Sequence, residues 1–150
     1  MSTLSQAVSS QSISSLQEQP VFTLRNATEL SGRILLTSLF LLSGLGKITA
    51  YAATAGYMAS VGVPGALLPL VIVTELLCSL AIILGWQTRV VSLLLAGFTL
   101  VTGVLFHNNF ADQIQMVMFL KNVSIAGALL MLVANGAGRL SLDRLRAKGD

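Results

Sequence analysis

The apolar residues of this chain gather into four blocks, and each block is broken by a polar residue where none is expected. The first, residues 34–46, is thirteen uncharged positions between Arg33 and Lys47. At 1.5 Å per residue it covers about 20 Å, short of a ~30 Å hydrocarbon core. A spanning helix must therefore run over about 31–51 and carry Arg33, Lys47 or both. Arg33, at its start, can snorkel back to the surface; Lys47, followed by residues 48–55, is harder to remove. A loop or short interfacial helix with Tyr51, Tyr57, Gly62, Pro64 and Gly65 comes next. The second span is predicted over 66–86, with Pro69 tolerated in its first turn and Glu75 as its only charge. Gln87 and Thr88 make a tight turn into a third span, 90–106, which ends at His107. The fourth, 114–134, holds Lys121 and Asn122 in its first half and stops at Asn135-Gly136-Ala137-Gly138. The pattern predicts an all-α, integral membrane four-helix bundle.

The flanks are different material. Residues 1–24 hold seven Ser, four Gln and no basic residue. They lack the basic start and apolar core of a signal peptide and read as a disordered cytoplasmic tail. Residues 137–150 read as a basic cytoplasmic C-terminal tail, with the domain proper at 30–136.

Composition agrees. Of 150 residues, 54% are hydrophobic and 10% charged, with mean hydropathy +0.81, against about 25% charged in soluble domains. The net charge of +3 lies at the chain ends, which suits a membrane surface and not nucleic acid. One Cys, Cys78, excludes an intrachain disulfide and a CxxC redox pair. With four spans, one side carries Arg25, Arg33, Arg89, Arg139, Arg144, Arg146 and Lys148, and the other only Lys47 and Lys121. The positive-inside rule then puts both termini in the cytoplasm. Trp86 on one side, and Tyr51 and Tyr57 on the other, suit the interfacial aromatic belts.

On that topology Lys47, Glu75, His107 and Lys121 all point to the outer half of the bundle, one from each span. A mid-membrane charge costs at least ~2.5 to 3.5 kcal/mol, so four independent charges are implausible and the groups are expected to meet. Glu75 pairs with Lys47 or Lys121, and the surplus positive charge calls for a lowered Lys pKa or a ligand with anionic or carbonyl oxygens. Lys47 and Lys121 would contact those oxygens, with His107 and Asn122 donating hydrogen bonds. The plain alternative is that the ion pair only fixes helix register. Ser92/Ala96, Thr99/Gly103 and Ser124/Ala128 fit close helix packing. No phosphate loop, HExxH or nucleophile triad is present, and His107 has no second His or Cys spaced to hold a metal.

Several blocks carry a resemblance. They are Gly44-Leu45-Gly46-Lys47, Tyr57-Met58-Ala59-Ser60-Val61-Gly62-Val63-Pro64, Glu75 and Leu84-Gly85-Trp86-Gln87-Thr88-Arg89. Lys121-Asn122-Val123-Ser124-Ile125-Ala126-Gly127 and Gly136-Ala137-Gly138 with Ser141-Leu142-Asp143 complete them. Over roughly residues 30–145 the chain resembles the DoxX family of small bacterial four-helix membrane proteins. The resemblance implies a multi-pass protein of the bacterial inner membrane. The family takes its name from a subunit associated with a thiosulfate:quinone oxidoreductase, and other members are described as partners in membrane redox complexes or as oxidoreductases. Its recurring Lys, Glu and Lys-Asn positions match Lys47, Glu75, Lys121 and Asn122. This sequence has no dithiol, flavin motif or heme-ligand pair of its own.

The sequence therefore points to a bundle that binds a quinone or small anion as a subunit or accessory of a membrane redox system. The alternative is a non-catalytic interaction or scaffold protein. Partners expected are the lipid bilayer, a redox protein and a second copy of the chain. A transporter is disfavoured by the absence of an inverted repeat.

Overall fold

A computed structural model describes residues 24–148. The Ser- and Gln-rich stretch lies outside the described residues except for Leu24, which begins the first helix. Six helices follow: α1 (Leu24–Thr49), α2 (Tyr51–Ser60), α3 (Leu68–Leu84, preceded by a 3-10 turn Gly65–Leu67), α4 (Thr88–Phe106), α5 (Gln113–Asn135) and α6 (Leu142–Arg146). α1, α3 with its leading turn, α4 and α5 are each long and apolar enough to cross a membrane. α1 starts a full two turns before the predicted residue 31. At Ala50 the backbone leaves helical geometry and α2 restarts at once (φ −109°, ψ 37°).

The helix ends follow local chemistry. Gly62 (φ +81°) ends the turn after α2, and Pro64 leads into the 3-10 turn. Gly85 closes α3 in the left-handed region (φ +69°). There the Trp86 amide donates to Ala81 O at 2.8 Å and the Gly85 amide to Ile82 O at 3.1 Å, a Schellman closure that uses up two helix-end carbonyls. Asp112 caps α5, its Oδ1 accepting from the Ile114 amide at 2.8 Å.

α1 packs on α3 and α4 on α5, with a thinner seam between α3 and α4. The α4–α5 seam is built from small residues at helical spacing: Ser92, Ala96, Thr99 and Gly103 are all buried. Ser124 and Ala128 are exposed, so this pair does not pack helices within the chain. Only Ala126 and Leu129 of the 23 residues of α5 are buried. One apolar cluster joins Phe40, Ala81, Ile82, Val91, Leu95, Ala96, Ala126 and Leu129 near the end that carries the chain termini. A smaller one, Met58, Leu68 and Ile72, sits under α2 at the opposite, loop end. The space between them is where the polar residues meet.

Arg33 does not snorkel. It is 1% exposed, and its guanidinium donates from Nη1 to Ile82 O (3.1 Å) and Ile83 O (3.0 Å) and from Nη2 to Leu140 O. At the last turn of α3 Ile83 O has no backbone partner and Ile82 O accepts only from the Gly85 amide, and both carry the negative end of the helix dipole. A cation held there is favourable, which is why Arg33 turns inward. A Cβ on Gly85 would overlap Ser141 Cβ and lie 2.7 Å from Arg33 Nη1, so the glycine also makes room for this contact. The segment after Asn135, read as a tail, is docked here. Asp143 accepts from the Gln87 amide (2.7 Å) and the Thr88 amide (2.9 Å), capping α4 from 55 residues away. Burial works against the Asp143 carboxylate, but these amides and the nearby Arg146 outweigh it and hold its pKa below the ordinary value.

Candidate functional site

Lys47 ends α1 four residues after Ser43, and Glu75 lies mid-way along α3. Gly44 is what lets the two helices close: a Cβ there would lie 2.9 Å from Leu76 Cδ2 and 3.5 Å from Glu75 Cβ. Lys47 Nζ donates to both Glu75 oxygens at 2.9 Å and to Ser43 Oγ. The carboxylate side chain is 7% exposed and the lysine 23%. Of the two lysines the sequence offered, Lys47 is the partner of Glu75.

The pair forms one wall of a cavity of about 250 Å³ between the α1–α3 and α4–α5 pairs. All five residues selected from the sequence line it: Lys47, Glu75, His107, Lys121 and Asn122. Their states differ. Lys121 is exposed at the rim and its Nζ reaches Met118 Sδ at 3.2 Å. Asn122 turns inward, because neighbouring helix positions are about 100° apart. Gly103 admits it from the facing helix, since a Cβ there would lie 3.1 Å from Asn122 Cβ. His107 closes α4, and its Nδ1 lies 2.8 Å from Gln115 Oε1. With Nδ1 donating to that oxygen, Nε2 keeps its lone pair.

The remaining walls are Phe40, Met58, Val71, Phe98, Thr99, Thr102 and aromatic residues at the loop end. Tyr57 of α2 stacks on Phe106 of α4 with ring centroids 5.7 Å apart. Met58 from the same helix is buried on Leu68 and Ile72, so α2 lies across the loop end of the bundle. The sequence pattern alone allows either a loop or a short interfacial helix at α2 and gives Tyr57 only an interfacial place. Ser43 was also missed, although its position one turn before Lys47 was a usable signal. Among the described residues, no group of three His, Cys, Asp or Glu side chains is placed to hold a metal.

The hydrogen-bonding account is uneven. The donors of Lys47 are spent on Glu75 and Ser43, and the hydroxyls of Thr99 and Thr102 donate to Leu95 O and Thr99 O. The Asn122 amide makes no side-chain hydrogen bond among the described residues. The site can therefore offer Asn122, His107 and the rim Lys121 to a polar group inside an otherwise apolar space.

No solved structure gives a significant match. The chain is 50% identical over 119 residues to the inner membrane protein YqjF of Escherichia coli K12, covering 79% of this chain and 92% of that protein. It is 38% identical over 122 residues to the inner membrane protein YphA of the same organism, covering 77% and 87%. The sequence model of the DoxX family matches residues 29–108, which takes in Lys47, Glu75 and His107 and thus most of the cavity's polar wall. With the family pattern running over more than half its length and YqjF matched almost end to end, this chain belongs to the DoxX family.

Proposed function

We propose that this DoxX-family inner membrane protein holds a quinone-like molecule in the loop-end cavity, as a subunit or accessory of a membrane redox system. The observation that carries the reading is the unspent Asn122 amide facing a mainly apolar cavity beside a neutralised ion pair. Because Glu75 already balances Lys47, the interior is close to neutral, which favours a carbonyl-bearing ring over a small anion. About 250 Å³ is below the ~300–1,000 Å³ of sites that enclose drug-sized ligands, so it suits one ring with its tail left in the lipid. Asn122 would donate to one carbonyl. His107 Nε2, with its lone pair free, would accept a hydrogen bond from the hydroxyl of the reduced form at the loop end. The seven basic residues at the other end support a cytoplasmic location for both termini.

Equilibrium binding of duroquinone to the protein in mild detergent tests this. Wild type should saturate, and Asn122→Leu and Glu75→Gln should each weaken binding about tenfold, the upper range of one lost hydrogen bond, with helix content retained. No saturation in wild type, or unchanged binding in both Glu75→Gln and Lys47→Met, overturns the proposal.

One observation favours a second reading. Lys47, Ser43 and Glu75 satisfy one another, which is all that a lock on α1–α3 register requires. In a scaffold role their replacement would lower stability and no ligand would be found.

A further inference from the structure

A second, larger cleft lies at the terminal end, far from the site above. Its volume is about 980 Å³, and its walls come from the start of α1, the α3–α4 turn and the segment from Asn135 to Ala147. Four arginines line it, Arg25, Arg89, Arg139 and Arg144, with two carboxylates, Glu29 and Asp143. Both carboxylates are committed. Glu29 holds Arg25 at 2.9 Å, and the two Asp143 oxygens cap α4. The guanidinium groups of Arg89, Arg139 and Arg144 therefore have no side-chain partner among the described residues. Three separate elements bring them to one hollow: Arg89 opens α4, Arg139 follows α5 and Arg144 lies on α6. The fold keeps that hollow open, because Gly136 and Gly138 (φ +75° and +80°) turn the chain back over it. A Cβ on Gly136 would meet Arg89 Nε at 3.7 Å, and one on Gly138 would overlap the Glu29 carboxylate.

Guanidinium groups bind phosphate as a planar fork, and a surplus of two positive charges calls for a ligand with one or two phosphates. Two further observations separate a lipid from a soluble phosphate. The cleft opens at the ends of the four spanning helices, where headgroups lie. Its wall also includes the exposed Val90, and one turn further down α4 the exposed Leu94 continues the same face. A headgroup in the cleft would leave its acyl chains on that apolar strip, which a soluble phosphate cannot use. We infer that this cleft is a binding site for the phosphate headgroup of an anionic glycerophospholipid. Arg89, Arg139 and Arg144 are its ligating side chains.

Native mass spectrometry of the full chain in detergent reads this directly. Added phosphatidylglycerol should give discrete adducts, whereas phosphatidylcholine with the same acyl chains should give few. Each basic residue near an anionic surface contributes about 1 kcal/mol, so Arg89→Gln with Arg139→Gln should weaken the adduct tenfold to thirtyfold, roughly. Arg146→Gln removes a charge that does not line the cleft and should leave it within about twofold. Helix content and melting should be unchanged in both variants, since these side chains are exposed. Equal loss in Arg146→Gln would mean diffuse attraction and overturn the site. So would equal binding of both lipids. Displacement of the lipid by glycerol phosphate at matched concentration would assign the cleft to a soluble phosphate and overturn the lipid.

Discussion

Each end of the bundle holds a cation against buried partners, and the two are held differently. At the terminal end Arg33 is surrounded by backbone: two carbonyls ending α3 and one from the docked segment at Leu140. Arg33 lines no cavity: Gly85 leaves room for Nη1 beside Ser141, and only the Nε of the guanidinium is buried without a partner. At the loop end Lys47 meets a carboxylate and a hydroxyl, and beside them is a cavity with an unspent amide. A buried charge held by backbone carbonyls and lining no cavity is a fastener. A buried pair that borders an unfilled space with unused donors is a site to be tested for a ligand. Burial alone does not tell the two apart; the surroundings do.

Substitutions should separate the ends in a definite order. Arg33→Leu should have the largest effect, because it strands Ile83 O at the end of α3, takes the charged donor from Ile82 O and unpins the segment after Asn135. Hydrogen bonds to a charged group contribute about 1.5 to 3 kcal/mol each before compensation, so a loss of ~3 kcal/mol or more is expected in detergent unfolding. Arg33→Lys should recover little of it, since an ammonium does not reproduce the planar fork. Neither variant should alter duroquinone binding in the fraction that stays folded; if binding falls in proportion to stability, the two ends are one unit and the comparison fails.

Lys47→Met comes next. It leaves Glu75 buried without its cation, a loss of about 2 to 3 kcal/mol. The double variant Lys47→Met/Glu75→Gln should regain part of that loss, because the second change removes the stranded charge. Melting curves of the single and double variants check this, and strict additivity would show that the pair is not coupled.

Asp143→Ala should be the smallest, about 1 kcal/mol for a lost helix cap. It carries a pH signature. The folded pKa of Asp143 is held below its ordinary value, so its contribution is full above the ordinary Asp range. It fades as pH falls through the lowered value. The gap between wild type and Asp143→Ala should therefore close on acidification, and a gap that stays constant to low pH would refute the capping role.

Much of the loop-end site was legible in the sequence because a charge inside an apolar block is costly, and that cost pointed to Lys47, Glu75 and Lys121. Which lysine meets Glu75 was not legible. It depends on the rotation of α5, which turns Asn122 inward and leaves Lys121 at the rim. Arg33 was misjudged for a related reason. Close to a predicted span end, a long side chain has two ways out of the bilayer, and the sequence does not say that free carbonyls wait across the bundle. Asp143 was recognised only as part of a Ser-Leu-Asp motif, since its partners at Gln87 and Thr88 are 55 residues away. The positions of the four spans needed only the apolar pattern, and their bounds shifted most at α1, where the helix starts before the apolar block.

The central claim concerns the loop-end cavity, and its most direct test is what the purified protein carries. Wild type and Asn122→Leu would be isolated in mild detergent, extracted into organic solvent and analysed by mass spectrometry, with protein quantified in the same sample. A quinone near one per chain in wild type, and well below that in Asn122→Leu of equal melting temperature, is the expected result. Equal quinone in both proteins, or none in either with the cavity residues altering only stability, would contradict a ligand site and leave Lys47 and Glu75 as a lock between α1 and α3.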